Sequence, residues 1–318
     1  MSNHALNFPD TFKVKQFQNN PITNNLVNDV VSKQLQEPGT GKLKFKLKQF
    51  IKYIFKRGIF RPNLYYDRVS DFAFFPRPSQ SWINKYYAKS GKSLSYNLKD
   101  RNQSYNSSTL YKCAKMIVDF SNVNNFKGKY VDLGSGTGWL ARAIYLNTGG
   151  SIKAVDISMD AMIHIKKNKE NITLETSESF FSNNDNYFDC LYSVDTLEHI
   201  IDPLDFMKKI YAKAHKGSKV FVSVPNFASY FSRISLGSHP YYHYPAHLNY
   251  FTSKSLRIVS ENAGFTVVKQ ATITFPYEAM YVSRCYNKNL HPPLNSWQIN
   301  DILNNGTDGE RLFILLQK

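Results

Sequence analysis

Cysteine is scarce in this chain of 318 residues: Cys113, Cys190 and Cys285 are three in number and far apart. An odd, scattered set excludes a disulfide framework, and nothing in its spacing suits zinc. Long apolar runs are missing too, since no window approaches the roughly 18 uninterrupted apolar residues of a membrane-spanning helix. With 42% hydrophobic and 20% charged residues the expectation is a soluble globular protein. The opening residues MSNHALNFPD have neither the basic start nor the apolar stretch of a secretory signal, so a cytoplasmic location is expected. Acidic residues are also in short supply, 24 against 40 Lys and Arg, for a formal net charge of +16.

The excess of positive charge is N-terminal. Residues 1–110 hold 18 Lys or Arg against 6 Asp or Glu, and the densest block is GKLKFKLKQFIKYIFKR at 41–57, with seven basic residues and no acid. There Leu43, Leu47, Phe50, Ile51 and Ile54 recur at helical spacing, with Lys44, Lys48, Lys52 and Lys56 on the other side. Such a basic amphipathic helix at 42–56 suits docking on the rest of the protein with lysines in water. It also suits an anionic membrane surface or nucleic acid phosphates. Helices are expected over 22–36 and 43–56, on either side of EPGTG. Residues 58–108, interrupted by Pro62, Pro76 and Pro78, read as short helices and loops forming a lid or cap. Residues 1–108 are therefore expected to be a basic, mainly helical extension.

From residue 109 the pattern is regular. Apolar runs at 130–133, 151–157, 171–175, 188–194 and 219–224 alternate with segments suited to helices at 138–148, 159–167 and 203–213. A helix at 253–264 and strands at 265–273 and 311–316 follow. Alternation of this kind builds a parallel sheet, and strands covered on both faces read as continuous apolar runs. The expected fold class is α/β, with a Rossmann-like, seven-stranded, mostly parallel sheet flanked by helices on both faces over 109–318, and an insertion at about 272–310.

One turn stands out. After the strand ending at Leu133 comes GSGTG, with Gly134, Gly136 and Gly138 before a helix from Trp139. Glycines there let a ligand approach the backbone, and free N–H groups at a helix start attract negative charge. A dinucleotide fingerprint G-x-G-x-x-G would need its third glycine where Trp139 stands, which argues against a nicotinamide cofactor. Asp132 precedes the first glycine by two positions, and Asp156 closes the next strand, where a carboxylate can accept both hydrogen bonds of a ribose diol.

VDLGSGTG, AVDIS, FDCLYSVDTLEHIIDP and KVFVSVPN resemble the successive motifs of class I S-adenosylmethionine-dependent methyltransferases. The segments Asp195 to Pro203 and HLNYFTSKSL, His247 to Leu256, resemble more closely the branch that includes the ubiquinone-biosynthesis type O-methyltransferases. The resemblance covers roughly residues 110–270 and implies S-adenosyl-L-methionine as cofactor. By position it implies that Gly134, Ser135, Gly136 and Gly138 line the methionine part, with Asp132 supporting its ammonium end. Asp156 would hold the ribose hydroxyls and Ile157 would pack on adenine. Ser177 and Glu178, in the loop after the third strand of this domain, would flank the adenine edge. Ser193, Val194 and Asp195 would lie near the sulfonium.

The implied activity is methyl transfer to a small-molecule acceptor, with a hydroxyl of a sugar, a lipid-linked intermediate or another metabolite preferred. For a hydroxyl, His199, His243 or His247 is a candidate base, because an unperturbed imidazole titrates near neutrality. The plainer alternatives are loop bracing for His199 and anchoring of the loop before residue 253 for His247. The run 238–251, dense in Tyr and His, suits acceptor contact or an aromatic cover. Methylation of a nucleic acid base is disfavoured, because no Asn/Asp-Pro-Pro-aromatic turn follows the fourth strand. RNA methylation through the basic N-terminus, and a module that binds cofactor without turnover, remain the other readings.

Overall fold

The computed structural model describes residues 21–23, 30–33, 64–75, 77–79, 81, 109–122, 128–157, 171–183, 188–235, 246–275, 278 and 309–318. Seven strands form the principal sheet: β4 (Lys129–Leu133), β5 (Ser151–Asp156), β6 (Ile172–Thr176), β7 (Cys190–Val194), β8 (Lys219–Pro225), β10 (Thr266–Ile273) and β11 (Arg311–Gln317). Their order is β10-β11-β8-β7-β4-β5-β6. Neighbours from β8 to β6 run parallel, while β11 is antiparallel to both β8 and β10. The α/β class and the mostly parallel seven-stranded sheet expected from the sequence are what the structure contains.

The chain first winds outward from β4 to β6 and then returns to place β7 on the other side of β4. Strand order therefore reverses between β4 and β7, and in such sheets the crevice at that point, beyond the carboxyl ends of the strands, is where ligands bind. The period-2 alternation of strand side chains divides the core in two. Val220, Val222, Val224, Leu312, Ile314 and Leu316 face one side. There they meet Phe180 of α3 (Ser177–Ser182), Met207 and Ile210 of α4 (Pro203–Lys213), and Leu256 and Val259 of α6 (Ser253–Asn262). Tyr192, Phe221, Phe313 and Leu315 face the other, against Ala114, Ile117 and Val118 of α1 (Thr109–Ser121) and Leu140 and Ile144 of α2 (Trp139–Thr148). Each fully buried Val, Leu, Ile, Phe or Met among them contributes about 1.5–3 kcal/mol.

Local chemistry sets the helix starts. Asp202 accepts a hydrogen bond from Asp205 N at 2.9 Å and Pro203 occupies the first turn of α4. The D-P pair of the LEHIIDP segment is thus a capped helix start. Thr252 and Ser255 form a reciprocal capping box at the start of α6. Among the described residues no helix is long and apolar enough to cross a membrane.

The N-terminal part departs from the helical expectation in three described segments. Within 22–36, Val30–Lys33 is a strand, β1, and within 58–108 the segments Leu64–Asp67 and Phe72–Phe74 are strands, β2 and β3. With β9 (Asn249–Tyr250) they make a second sheet in the order β1-β2-β3-β9, every pair antiparallel. A short apolar run with β-branched or aromatic residues cannot be assigned by periodicity alone, and a partner strand decides it. Between β2 and β3 the chain turns at Asp67, whose carboxylate accepts from Val69 N at 3.0 Å and Ser70 Oγ at 2.7 Å. That Asx-type turn replaces the expected loop. The basic helix read at 42–56, the helix at 159–167 and most of the 272–310 insertion lie outside the described residues.

Candidate functional site

The glycine turn and the acid closing β5 are in direct contact. Gly136 N donates to Asp156 Oδ2 at 2.8 Å, while Gly134 N and Ser135 N donate to Val155 O at 2.8 and 3.0 Å. The turn therefore folds over the carboxyl end of β5. Gly134 has φ 81°, and a Cβ placed on it would lie 2.1 Å from Thr196 Oγ1, so the turn also presses against the residue following β7 by two positions. Gly136 and Gly138 have φ 53° and 78°. Ser135 Oγ is buried with no hydrogen-bond partner among the described residues, a polar atom placed for a ligand in the turn. Orphaned donor, bare backbone and a half-buried carboxylate at a switch point fit the methionine and ribose portions of an adenosyl cofactor.

Asp132 lies behind this turn. It is 2% exposed, and its Oδ2 accepts from Ala141 N at 2.9 Å in the first turn of α2. Gly138, the residue preceding that helix, provides no side-chain cap, so a carboxylate from the adjacent strand satisfies the helix start instead. Burial pushes its pKa up to about 7; the Ala141 N–H opposes the rise and Asp156 adds to it.

Ile157, at the end of β5, is 59% exposed. Ser177 and Glu178, expected in a loop, instead form the first turn of α3, because Thr176 Oγ1 accepts from Ser179 N at 3.2 Å and caps the helix. Glu178 then sits where a carboxylate favours the helix dipole. Ser193 and Val194 are buried in β7; Val194 packs with the α1 and α2 side of the core, and Ser193 Oγ has no partner among the described residues. His243 lies outside the described residues.

At the end of β7 the backbone bends sharply, with Asp195 at φ 51° and its N–H donating to Ser223 O at 3.0 Å. A non-glycine residue in this region is uncommon and held by its surroundings. Here Arg311, 3% exposed, hydrogen-bonds Asp195 through Nη1 and Glu278 Oε1 through Nε at 2.6 Å. The turn Leu197–His199 follows. His199 Nδ1 donates to Ala246 O at 2.7 Å, since a carbonyl can only accept. Its Nε2 faces Glu198 Oε1 at 3.7 Å, and its ring meets that of His247 edge-on, centroids 4.7 Å apart. One donor or acceptor atom from each of Glu198, His199 and His247 falls within 4.8 Å of the others.

Glu198 is 1% exposed and neither carboxylate oxygen has a hydrogen-bond partner among the described residues. Burial first, then Asp195, raises its pKa well above the usual carboxylate range, and Arg311 opposes this. A buried carboxyl that binds its proton tightly thus stands beside two imidazoles, a side-chain type suited to general acid–base work. Four residues that shape this site, Thr196, Asn249, Arg77 and Arg311, are not among those that the sequence singles out. Asn249 lies inside the HLNYFT segment that carried the resemblance, whereas nothing in the local sequence marks Arg77.

Residues 105–270 match the family model described as a methyltransferase domain. No curated protein matches the chain. Among solved structures, one similar fold is the Haloferax volcanii complex of the Trm112 methyltransferase activator with a methyltransferase, at 14% identity and TM-score 0.52, covering 74% of this chain and 96% of that one. Another is the crystal structure of the cyclase SpnF, at 12% identity and TM-score 0.52, covering 77% of this chain and 98% of that one. At such identities the likeness extends to the fold alone. The matched residues span more than half of the chain and include both the glycine turn and the Glu198 turn, so this protein belongs to the methyltransferase-domain family, with the fold of class I enzymes and S-adenosylmethionine as cofactor.

Proposed function

We propose that the protein transfers a methyl group to a hydroxyl of a small-molecule acceptor, a sugar, a lipid-linked intermediate or another metabolite, with the His199–His247 pair as base. The observation that carries this reading is the imidazole pair beside the orphaned Glu198 carboxyl, one turn beyond the end of β7. An amine can be methylated without a base at the protein, whereas a hydroxyl gains from a group that takes its proton.

When bound, S-adenosylmethionine supplies a methyl carbon activated by positive sulfur. On this reading Gly134, Ser135, Gly136 and Gly138 line its methionine part, and Asp132 supports the ammonium through the glycine turn. Asp156 holds the ribose and Ile157 covers adenine, with Ser177 and Glu178 at its edge. Ser193, Val194 and Asp195, at the carboxyl end of β7, would lie near the sulfonium and the acceptor. The chain's remaining task is to align the acceptor oxygen with the methyl carbon and to exclude water. A lipid-linked acceptor would suit the basic helix read at 42–56, and equal co-sedimentation with anionic and neutral vesicles would remove that pairing.

The test is release of S-adenosylhomocysteine by the full chain against matched panels of hydroxyl and amine acceptors. Turnover of a hydroxyl acceptor that falls about 100-fold or more in His199→Gln, with cofactor affinity retained, is expected. Turnover of amines alone, or a His199→Gln enzyme as fast as wild type, defeats the reading.

A further inference from the structure

The hairpin 64–75 and Arg77 belong, in sequence, to the region outside the family match, yet they touch the acceptor side of the site. The strip 246–250 is the link. On one flank Phe75 N donates to Leu248 O at 3.0 Å, and β3 pairs with β9 through Ala73 and Phe74. On the other flank Leu248 N donates to Glu198 O at 2.8 Å, and Ala246 O receives His199 Nδ1. Asn249, 1% exposed, occupies the middle. Its Nδ2 reaches Leu197 O at 3.0 Å, Glu198 O at 3.4 Å and Ile200 O at 2.7 Å, so one amide spans the whole turn that carries Glu198 and His199. Its Oδ1 accepts from Arg77 Nη2 at 2.6 Å.

We propose that Asn249, oriented by Arg77, is the positioning residue that holds the Glu198–His199 turn against His247, which makes the N-terminal hairpin a working part of the acceptor site. The orientation follows from donor inventory. A guanidinium has only donors and the three carbonyls only accept, so the amide has one satisfactory setting, oxygen toward Arg77 and nitrogen toward the turn. A flipped amide would set donor against donor on one side and acceptor against acceptor on the other. The second anchor is Thr252, whose Oγ1 donates to Asp71 O at 2.9 Å, tying the turn of the hairpin to the cap of α6. The hairpin is thus fastened at both ends of the strip that frames the two histidines. Burial lowers the Arg77 pKa to about 9, opposed by Asp202, so the guanidinium stays charged at neutral pH and its bond to Oδ1 is charge-assisted.

The inference rests on the reading of the two imidazoles as the acceptor-side base, and its test needs no acceptor. Among the described residues, the charged and titratable groups around the pair include Glu198 on the same turn, Tyr250, whose hydroxyl donates to His247 O at 3.3 Å, Asp195 and Arg311 beyond the turn, and Arg77 and Asp202 behind Asn249. Full-length protein labelled at histidine is titrated by NMR with S-adenosylhomocysteine present, and His199→Gln and His247→Gln assign the signals. Asn249→Leu keeps the shape and adds no charge. Expected is a shift of about half a pH unit or more in the His199 midpoint, with cofactor affinity within about twofold of wild type. Arg77→Leu should shift it comparably, and Arg77→Lys, which keeps the charge and one donor, should shift it less.

An unmoved His199 midpoint in folded Asn249→Leu overturns the proposal, as does a shift matched by an equal loss of cofactor affinity, which would mean general loosening. Should Asn249→Leu fail to fold, the two Arg77 variants decide: a graded response supports positioning, and identical responses sink it. A wild type that turns over no hydroxyl acceptor defeats the proposed function instead, and leaves this titration readable.

Discussion

The two halves of the crevice are built differently. The half at β4 and β5 comes from one short stretch, residues 132–156, in which backbone N–H groups of the glycine turn bond directly to Val155 and Asp156. The half at β7 is assembled from five segments far apart in sequence: 71–75 with Arg77, 195–200, 246–252, Phe275 with Glu278, and Arg311. A site for an unvarying ligand can be encoded by a local turn whose geometry glycine permits. A site for a variable acceptor draws on side chains brought in from several elements, which no single local motif encodes. That is why the cofactor follows from the family and the acceptor does not.

Substitutions can break this comparison. The largest expected effect lies in Asp132, whose pKa is raised from 3.8 to about 7 by burial. Its folded form binds a proton more tightly than the unfolded form, so its contribution falls as pH rises from about 4 to 7. Relative to Asp132→Asn, wild type should lose up to about 4 kcal/mol over that window, measured by denaturant unfolding at each pH in the absence of cofactor. A difference between the two that is flat with pH would show that Asp132 is not carrying the shift.

Next is Gly134→Ala, where the new Cβ meets Thr196 Oγ1 at 2.1 Å and the backbone sits at φ 81°. A loss of about 3 kcal/mol in stability is expected, together with the calorimetric signal for S-adenosylhomocysteine. Asp156→Ala comes third. It removes the acceptor of Gly136 N, and affinity for S-adenosylhomocysteine should fall about 30-fold, with the His199 titration unmoved. If that titration moves as well, the two halves are not independent and the contrast fails. The smallest effect is expected in Gly149→Ala: φ is 64° but the added Cβ meets nothing within 4 Å, so about 1 kcal/mol of backbone strain is the whole cost. Its cofactor affinity should be that of wild type.

Much of this was legible in the residues. Continuous apolar runs between helical segments specified the parallel sheet, and GSGTG with Asp156 twenty residues after Gly136 marked the two elements that the structure brings into contact, because those signals are local. The strands at 30–33, 64–67 and 72–74 were not legible, since three or four residues of apolar sequence acquire a conformation only from the strand they pair with. Ser177 and Glu178 carry no helical signal in the sequence because the cap at Thr176 precedes a helix of only six residues, too short for a periodic pattern.

What the sequence by itself determined is the sheet and its glycine turn, because each depends on neighbours a few residues away and on the backbone freedom of glycine. What the tertiary structure alone decided is the arrangement beyond β7, the proposed acceptor side. Only folding sets Asn249 between Arg77 and the Glu198 turn and puts His199 beside His247, and only burial there leaves the Glu198 carboxyl without a hydrogen-bond partner among the described residues. Hydrogen bonds across 50 to 170 residues of chain have no period and no motif; they exist once the core has closed and water has been excluded.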